Sequence, residues 1–90
     1  AHVDKAFISA GGVSVEAGVT NANSVEIPTK KAIIRAAKEI ILVVTHNKIG
    51  KRSFSQIVPI RKIDKIITGK DSSPEQVELI RKQGVEVILV

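Results

Sequence analysis

The amino-acid sequence predicts an α/β fold in which helices flank a mostly parallel sheet. Two observations support this prediction. Apolar runs of strand length alternate with helical segments in the order strand, helix, strand, strand, helix, strand, and this alternation favours a parallel sheet with right-handed crossovers. The hydrophobic 43% of the chain is almost all Ile, Val and Ala, and β-branched side chains fit a pleated sheet. A chain of 90 residues supports one domain at most.

The first half of the chain predicts a strand, a loop, a helix and a second strand. Residues 2–9 have an apolar centre and end before a Gly pair, which is typical of a buried strand followed by a loop. The small and polar segment 12–23 predicts that loop. The segment 27–39 predicts a helix, because Pro28 suits a first helical position and the apolar residues fall on one face. The β-branched run 40–45 predicts a strand covered on both faces, and therefore a central one.

The second half of the chain predicts two more strands and one more helix. The segment 54–60 is apolar but contains Pro59, so it predicts either a short helical turn or an edge segment. Residues 63–68 predict a brief strand. The helix predicted over 74–83 follows a Ser-Ser-Pro-Glu capping signal and ends at a Gly. Residues 85–90 predict the last strand.

The composition excludes several classes of function. The chain has no Cys, which removes disulfides, thiolate metal sites and Cys nucleophiles and is compatible with a cytoplasmic location. No signal peptide and no apolar stretch of about 18 residues is visible, so we expect no membrane partner. The net charge of +5 comes without aromatic interleaving or a dense Arg cluster, so we do not expect this segment itself to bind DNA. The start at Ala1, without Met, predicts that upstream sequence is missing.

The polar and basic segment 46–52 follows the predicted central strand directly. In open α/β sheets, ligands bind outside the carboxyl ends of the strands. Lys48 lies in this segment, where a Lys can act as a mobile charge on a phosphate. The alternative is an ordinary solvated Lys. His46 and His2 share no metal-ligand spacing, so we expect neither a metal site nor a cofactor.

A second candidate site is the glycine-containing segment after the first predicted strand. Gly12 and Gly18 would let backbone N–H groups approach a phosphate closely, although turn glycines are often only structural. Thr20 and Asn21 could bond to sugar hydroxyls. Glu26 could serve as a further hydroxyl acceptor.

Asp4 lies inside the first predicted strand and needs a partner if it is buried, because an unpaired carboxylate in an apolar site is costly. Lys30 is an available counter-charge. The sequence leaves two alternatives open: the two residues form a structural pair, or both face the ligand.

Three stretches of the chain together resemble one known family. They are DKAFISAGGVSVEAGVTN, TKKAIIRAAKEIILVVTHNKIG and IDKIITGKDSSPEQVELIRKQGVEVILV. Five features occur in the family's order. They are the Asp-Lys-Ala-Phe opening, the Glu-x-Gly turn, the Lys before the helix, the Asn-Lys-x-Gly loop and the closing Gly-Val-Glu-Val. The chain thus resembles the C-terminal part of the sensor domain of DeoR-type transcription regulators.

The resemblance implies a Rossmann-like fold similar to that of ribose-5-phosphate isomerase and coenzyme A transferases. It also implies a repressor that a phosphorylated sugar or related metabolite releases from DNA. DNA would bind only through an N-terminal winged helix-turn-helix, which this sequence lacks, as it lacks the first half of the sensor domain. By resemblance, the ligand residues include Asp4, Gly12, Gly18, Lys30 and Lys48.

Two departures from the related patterns affect the expected chemistry. Thr45 stands where many family members have Asp. The isomerase relatives have a proton-abstracting Glu near the position of Lys30, and a protonated Lys cannot act as that base at neutral pH. The resemblance therefore implies binding without turnover, and not an enzyme.

Three hypotheses follow from the sequence. The first is an effector-binding module of a transcription regulator. The second is a lobe of a sugar-phosphate isomerase or transferase, for which Glu26 is the carboxylate nearest to the helix start. The third is a purely structural oligomerisation domain. In each case exposed apolar surface makes a homo-oligomer a reasonable expectation.

Overall fold

A computed structural model describes residues 2–90 and contains two sheets. One is a four-stranded sheet in the order β1-β4-β6-β7, and the other is a three-stranded sheet in the order β2-β3-β5. In chain order the strands are β1 (Val3–Ile8), β2 (Gly12–Ser14), β3 (Gly18–Asn21), β4 (Ala37–Val43), β5 (Ser55–Val58), β6 (Lys65–Thr68) and β7 (Glu86–Leu89), and the helices are α1 (Ile27–Ala36) and α2 (Pro74–Arg81). Short 3-10 turns occupy Ser24–Glu26, His46–Lys48 and Ile60–Lys62.

The larger sheet confirms the predicted α/β class with a parallel sheet. All three of its strand pairings are parallel. β4 lies between β1 and β6, as the β-branched run predicted. Helix α1 lies in the connection from β1 to β4, and α2 lies in the connection from β6 to β7. Parallel strands require such crossover connections.

The smaller sheet was not predicted. The segment 12–23, which we expected to be a loop, contains the antiparallel hairpin β2-β3. The segment 54–60 contains strand β5, which pairs with β3, and the following 3-10 turn begins after Pro59. The strands have only three or four residues each, too few for an alternating pattern to stand out.

Helix α1 ends three residues earlier than predicted. The segment 37–39 forms the start of β4, where Ala37 is in register with Val3 and Glu39 with Lys5. Ala37 itself is the extended residue that follows the helix. Strand pairing with β1 therefore prevails over the helical preference of Ala, Lys and Glu.

The core lies on one face of the parallel sheet. Ile8, Leu42, Ile66 and Val87 point to this face and are buried, together with apolar residues of α2 and of the smaller sheet. The strands follow one another across the sheet in chain order, so right-handed crossovers place every connection on the same face.

The opposite face of the parallel sheet remains uncovered in residues 2–90. Phe7 is 64% exposed there and Val43 is 44% exposed. β1, which we expected to be a buried strand, therefore exposes Phe7. The prediction that β4 is covered on both faces holds for the buried residues Ile40, Ile41 and Leu42 but not for Val43. No helix in the described part of the chain is long and apolar enough to cross a membrane.

Candidate functional site

The two loops predicted to hold a ligand lie side by side at the carboxyl edge of the parallel sheet. One follows β1 and the other follows β4. The Gly50 N–H donates to the Val13 carbonyl at 2.7 Å, and Val13 forms a β-bridge with Ile49. Backbone pairing thus fixes the relative position of the two loops, one residue away from Gly12 on one side and from Lys48 on the other.

The Thr20 side chain connects the Gly12 segment to Ser53, which follows the Lys48 loop. Its hydroxyl donates to the Gly12 carbonyl at 3.0 Å and accepts the Ser53 N–H at 2.8 Å. A Cβ on Gly12 would lie 2.5 Å from the Lys51 carbonyl oxygen, so only glycine fits this close approach of backbones. Thr20 and Gly12 therefore build the loop junction, and the hydroxyl of Thr20 is already occupied.

Lys30 contacts two of the predicted site residues near the carboxyl end of β1. Its ammonium donates to the Ser9 carbonyl at 2.8 Å and to Asn21 Oδ1 at 3.1 Å. It also forms a salt bridge of 3.4 Å with Glu26 Oε1. The Asn21 amide in turn donates to the same Glu26 oxygen at 3.4 Å. Asn21, Glu26 and Lys30 thus form one polar cluster, in which Lys30 has an exposed fraction of only 14%.

Asp4 is not part of this cluster, so the structural pair with Lys30, one of the two alternatives that the sequence left open, does not form. Asp4 is the second residue of β1, at the amino end of the strand, and its side chain is 91% exposed. Its carboxylate lies 3.8 Å from the Lys38 ammonium. Asp4 and Ser9 are five residues apart along the strand, a distance of about 16 Å. We therefore leave Asp4 out of the proposed site.

Gly18 has a structural explanation that requires no ligand. It is the first residue of β3, directly after the β2-β3 turn, and has a φ of +76°, a conformation that favours glycine. A Cβ at this position would lie 2.4 Å from the Val58 carbonyl oxygen. A phosphate contact by Gly18 stays a prediction without geometric support.

Lys48 lies in the 3-10 turn that follows β4 and is half-buried. Among residues 2–90, no carboxylate lies within salt-bridge distance of its ammonium. The Thr45 hydroxyl bonds to Asn47 Oδ1, within the same turn. Thr45 thus stabilises the turn, while the charge of Lys48 stays available.

One residue near this edge was not selected from the sequence. Arg52 lines a cavity of about 240 Å³ beside the β2-β3 hairpin, together with Glu16, Thr20 and Phe54. The basic pair at positions 51–52 belongs to the segment 46–52 that the sequence marks as polar and basic. Arg52 could not be selected within that segment, because the smaller sheet against which it lies was not predicted.

The carboxyl edge offers ammonium and guanidinium donors, side-chain amides and a carboxylate, which are groups that can bind anions and hydroxyls. No group of three His, Asp or Glu residues in the described range 2–90 could hold a metal ion.

A parallel α/β sheet with polar and basic side chains beyond the carboxyl ends of its strands is an architecture suited to a ligand-sensing domain. The chain belongs to the family of the DeoR C terminal sensor domain, whose model matches residues 1–70.

The curated relatives are named as transcription regulators. The chain is 35% identical to the HTH-type transcriptional repressor GlcR of Bacillus subtilis over 88 residues, which is 98% of this chain and 34% of that protein. It is 33% identical to a putative aga operon transcriptional repressor of Escherichia coli O157:H7, over 99% of this chain and 33% of the relative. It is 31% identical to the deoxyribose operon repressor of Escherichia coli K12, over 94% of this chain and 34% of the relative. The chain thus spans about a third of the length of these relatives, which are all named as transcriptional repressors.

Proposed function

We propose that this chain is the effector-sensing part of a transcriptional repressor, and that it binds a phosphorylated sugar or a related metabolite at the carboxyl edge of the parallel sheet. The phosphate would lie beside the Gly12 loop, between Lys30 and Lys48. The sugar hydroxyls would bond to Asn21 and Glu26. DNA would be bound by another part of the regulator.

The observation that carries this proposal is the junction of the two loops. The Val13–Ile49 bridge and the Gly50–Val13 hydrogen bond place the end of β1 beside the turn that carries Lys48. A half-buried ammonium without an ion-pair partner, beside a loop that contains two glycines, is suited to an anion. One relative is named as the deoxyribose operon repressor and another as a putative aga operon transcriptional repressor. A repressor of a deoxyribose operon fits a sugar-derived effector.

The Lys30 cluster would respond to a bound anion. In the structure, the Glu26 carboxylate pairs with the Lys30 ammonium at 3.4 Å. A phosphate near Lys30 would replace that carboxylate, and Glu26 would then be released to a sugar hydroxyl. Because Glu26 lies in the 3-10 turn that leads into α1, this exchange would move the start of the helix. Such a movement can change the affinity for DNA only if the ligand binds the two states with different affinity.

The test is a thermal-shift screen of the chain with sugar phosphates and glycolytic intermediates, with the matching free sugars as controls. A ligand at about 100 times its Kd adds about 2.7 kcal/mol to the free energy of unfolding. We expect a rise in melting temperature with a phosphorylated compound and none with its free sugar.

Two Lys variants locate the site. Lys48→Ala should lose the shift, whereas Lys82→Ala should keep it, because Lys82 follows α2 and is exposed. If Lys48→Ala keeps the full shift, the assignment of the phosphate to this loop is wrong. If no phosphorylated compound shifts the melting temperature, the proposed class of effector is wrong.

A further inference from the structure

A second and larger cavity lies at the amino edge of the parallel sheet, opposite to the proposed effector site. Its volume is about 520 Å³, and it lies between α1, the start of β4 and the turn that follows β5. Its floor is apolar and includes Ile34, Ile57 and Val58. Small-molecule sites commonly have volumes of about 300–1,000 Å³. The cavity is therefore large enough for a ligand of metabolite size.

The rim of this cavity is strongly positive. Its cations are Lys31, Arg35, Lys38, Arg61 and Lys62. A single carboxylate accompanies them, that of Asp64, and its Oδ2 already accepts the Ile40 N–H at 2.7 Å. Five cations and one carboxylate leave an excess of four positive charges around one apolar floor.

Internal ion pairs do not compensate this charge. Of the five cations, only Lys38 lies within salt-bridge distance of a carboxylate in the described residues, and that contact with Asp4 is 3.8 Å long and largely exposed. Lys31 and Arg35 are four residues apart on α1, where like charges repel. The carbonyl groups at the end of α1 favour Arg35, but they do not account for the two cations after β5. An anion in the cavity would relieve the repulsion among all of them.

We propose that this cavity binds a small organic anion with phosphate groups on an apolar body. The guanidinium groups of Arg35 and Arg61 suit phosphate, because their planar donors bind two oxygens at once. The apolar body would lie on the floor that Ile34 contributes to. Duplex DNA, the other common source of phosphate, is a convex rod and would leave this concave apolar floor empty.

The new site is separate from the proposed effector site but is connected to it by α1. Lys38, near the amino end of β4, lies at the new site, and Val43 lies at the carboxyl end of the same strand. A separation of five residues along a strand corresponds to about 16 Å. The same helix carries Lys30, which bonds to Ser9 and Asn21 at the carboxyl edge, and Arg35 at the amino edge. A ligand between α1 and β5 would therefore influence the helix that also bears the Lys30 cluster.

Calorimetric titration of the chain with inorganic pyrophosphate tests the site at an ionic strength of about 0.15 M, where charges more than about 8 Å apart are largely screened. The double variant Arg35→Gln/Arg61→Gln removes two charges from the cavity. The control variant Lys5→Gln/Lys82→Gln removes two exposed charges that lie outside both proposed sites. Because hydrogen bonds between charged groups contribute more than neutral ones, we expect the first variant to bind pyrophosphate at least about tenfold more weakly. The control should bind within about twofold of the parent chain, since salt screens distant charges.

Three outcomes would overturn this proposal. Equal weakening in both variants would show a response to net charge only. Absence of pyrophosphate binding in a parent chain with a cooperative melting transition would show that there is no such site. Binding of a duplex oligonucleotide through Arg35 and Arg61, without pyrophosphate binding, would assign the cations to nucleic acid. Lys48→Ala, titrated in parallel, reports on the other edge, so failure of one site is distinguishable from failure of the other.

Discussion

The Thr20 hydroxyl donates to the Gly12 carbonyl at 3.0 Å and accepts the Ser53 N–H at 2.8 Å. One buried side chain therefore joins the loop after β1, the strand β3 and the segment that leads into β5. These three segments are far apart in the sequence, and their junction forms the base of the proposed effector site.

Replacing Thr20 by Val tests this junction. The shape of the side chain is kept, but the Gly12 carbonyl and the Ser53 N–H lose their partner. An unsatisfied buried polar group costs about 1–3 kcal/mol, so the free energy of unfolding, measured by urea denaturation, should fall by that amount. Thr20→Ser keeps the hydroxyl and should lose clearly less. A smaller loss in the Val variant than in the Ser variant would show that the methyl group matters more than the hydrogen bonds.

Gly18 and Gly84 provide a matched test of backbone strain and steric overlap. Both have positive φ, +76° and +90°. A Cβ at Gly84 meets nothing within 4 Å, whereas a Cβ at Gly18 would lie 2.4 Å from the Val58 carbonyl oxygen. Gly84→Ala should therefore cost only the conformational strain, about 1–3 kcal/mol. Gly18→Ala should cost more, because it also separates β3 from β5. Equal melting temperatures for the two variants would contradict this difference.

The parallel sheet was predictable because its strands carry long β-branched runs, above all the run that begins at Ile40. The smaller sheet was not, because its strands consist of three or four residues with Gly and polar residues among them. A strand such as β3 is specified by its partners, as the bond from Thr20 to Gly12 shows, and partners are not visible in a local pattern.

The candidate site was predictable only in part, because a local sequence pattern does not show which side chains come together. The rule that ligands bind beyond the carboxyl ends of parallel strands led to Lys48 and Gly12, and the structure places their loops together. The rule gives no pairing between charges. It therefore did not lead to the pair of Lys30 with Glu26, although that contact is local, between residues four apart. It also could not show that Asp4 contacts Lys38, because that contact depends on the register between β1 and β4.

Phe7 and Phe54 test self-association through the uncovered face of the parallel sheet. They are the two Phe residues of the chain, and they are 64% and 81% exposed. Phe7 lies on the uncovered face, beside Ile41 and near Val43. Parallel sheets rarely leave a face bare, so we expect sedimentation to show a concentration-dependent dimer.

The two Phe substitutions distinguish this face from the rest of the surface. Phe7→Asp should abolish the dimer, because association would bury a charge without a partner. Phe54→Asp should not, because Phe54 lies outside the parallel sheet. A parent chain that stays monomeric over the whole concentration range, or a dimer that survives Phe7→Asp, would contradict association through this face.

Glu26 competes with a bound phosphate for the charge of Lys30 if the proposed effector site is right. Its carboxylate lies 3.4 Å from the Lys30 ammonium and is 54% exposed, so the pair is partly screened by water and contributes about 0.2–1 kcal/mol. Glu26→Gln removes the competing charge but keeps a side chain of the same shape. The affinity for inorganic phosphate, which offers no sugar hydroxyls, should therefore rise about two- to fivefold in calorimetric titration. The affinity for a sugar phosphate should rise less or fall, because the amide is a poorer acceptor for hydroxyls than the carboxylate. Glu75→Gln, on the first turn of α2, removes the same charge away from Lys30 and serves as the control. If Glu26→Gln and Glu75→Gln change the affinity for phosphate equally, Lys30 does not contact the phosphate, and the exchange of partners that links the ligand to α1 does not occur.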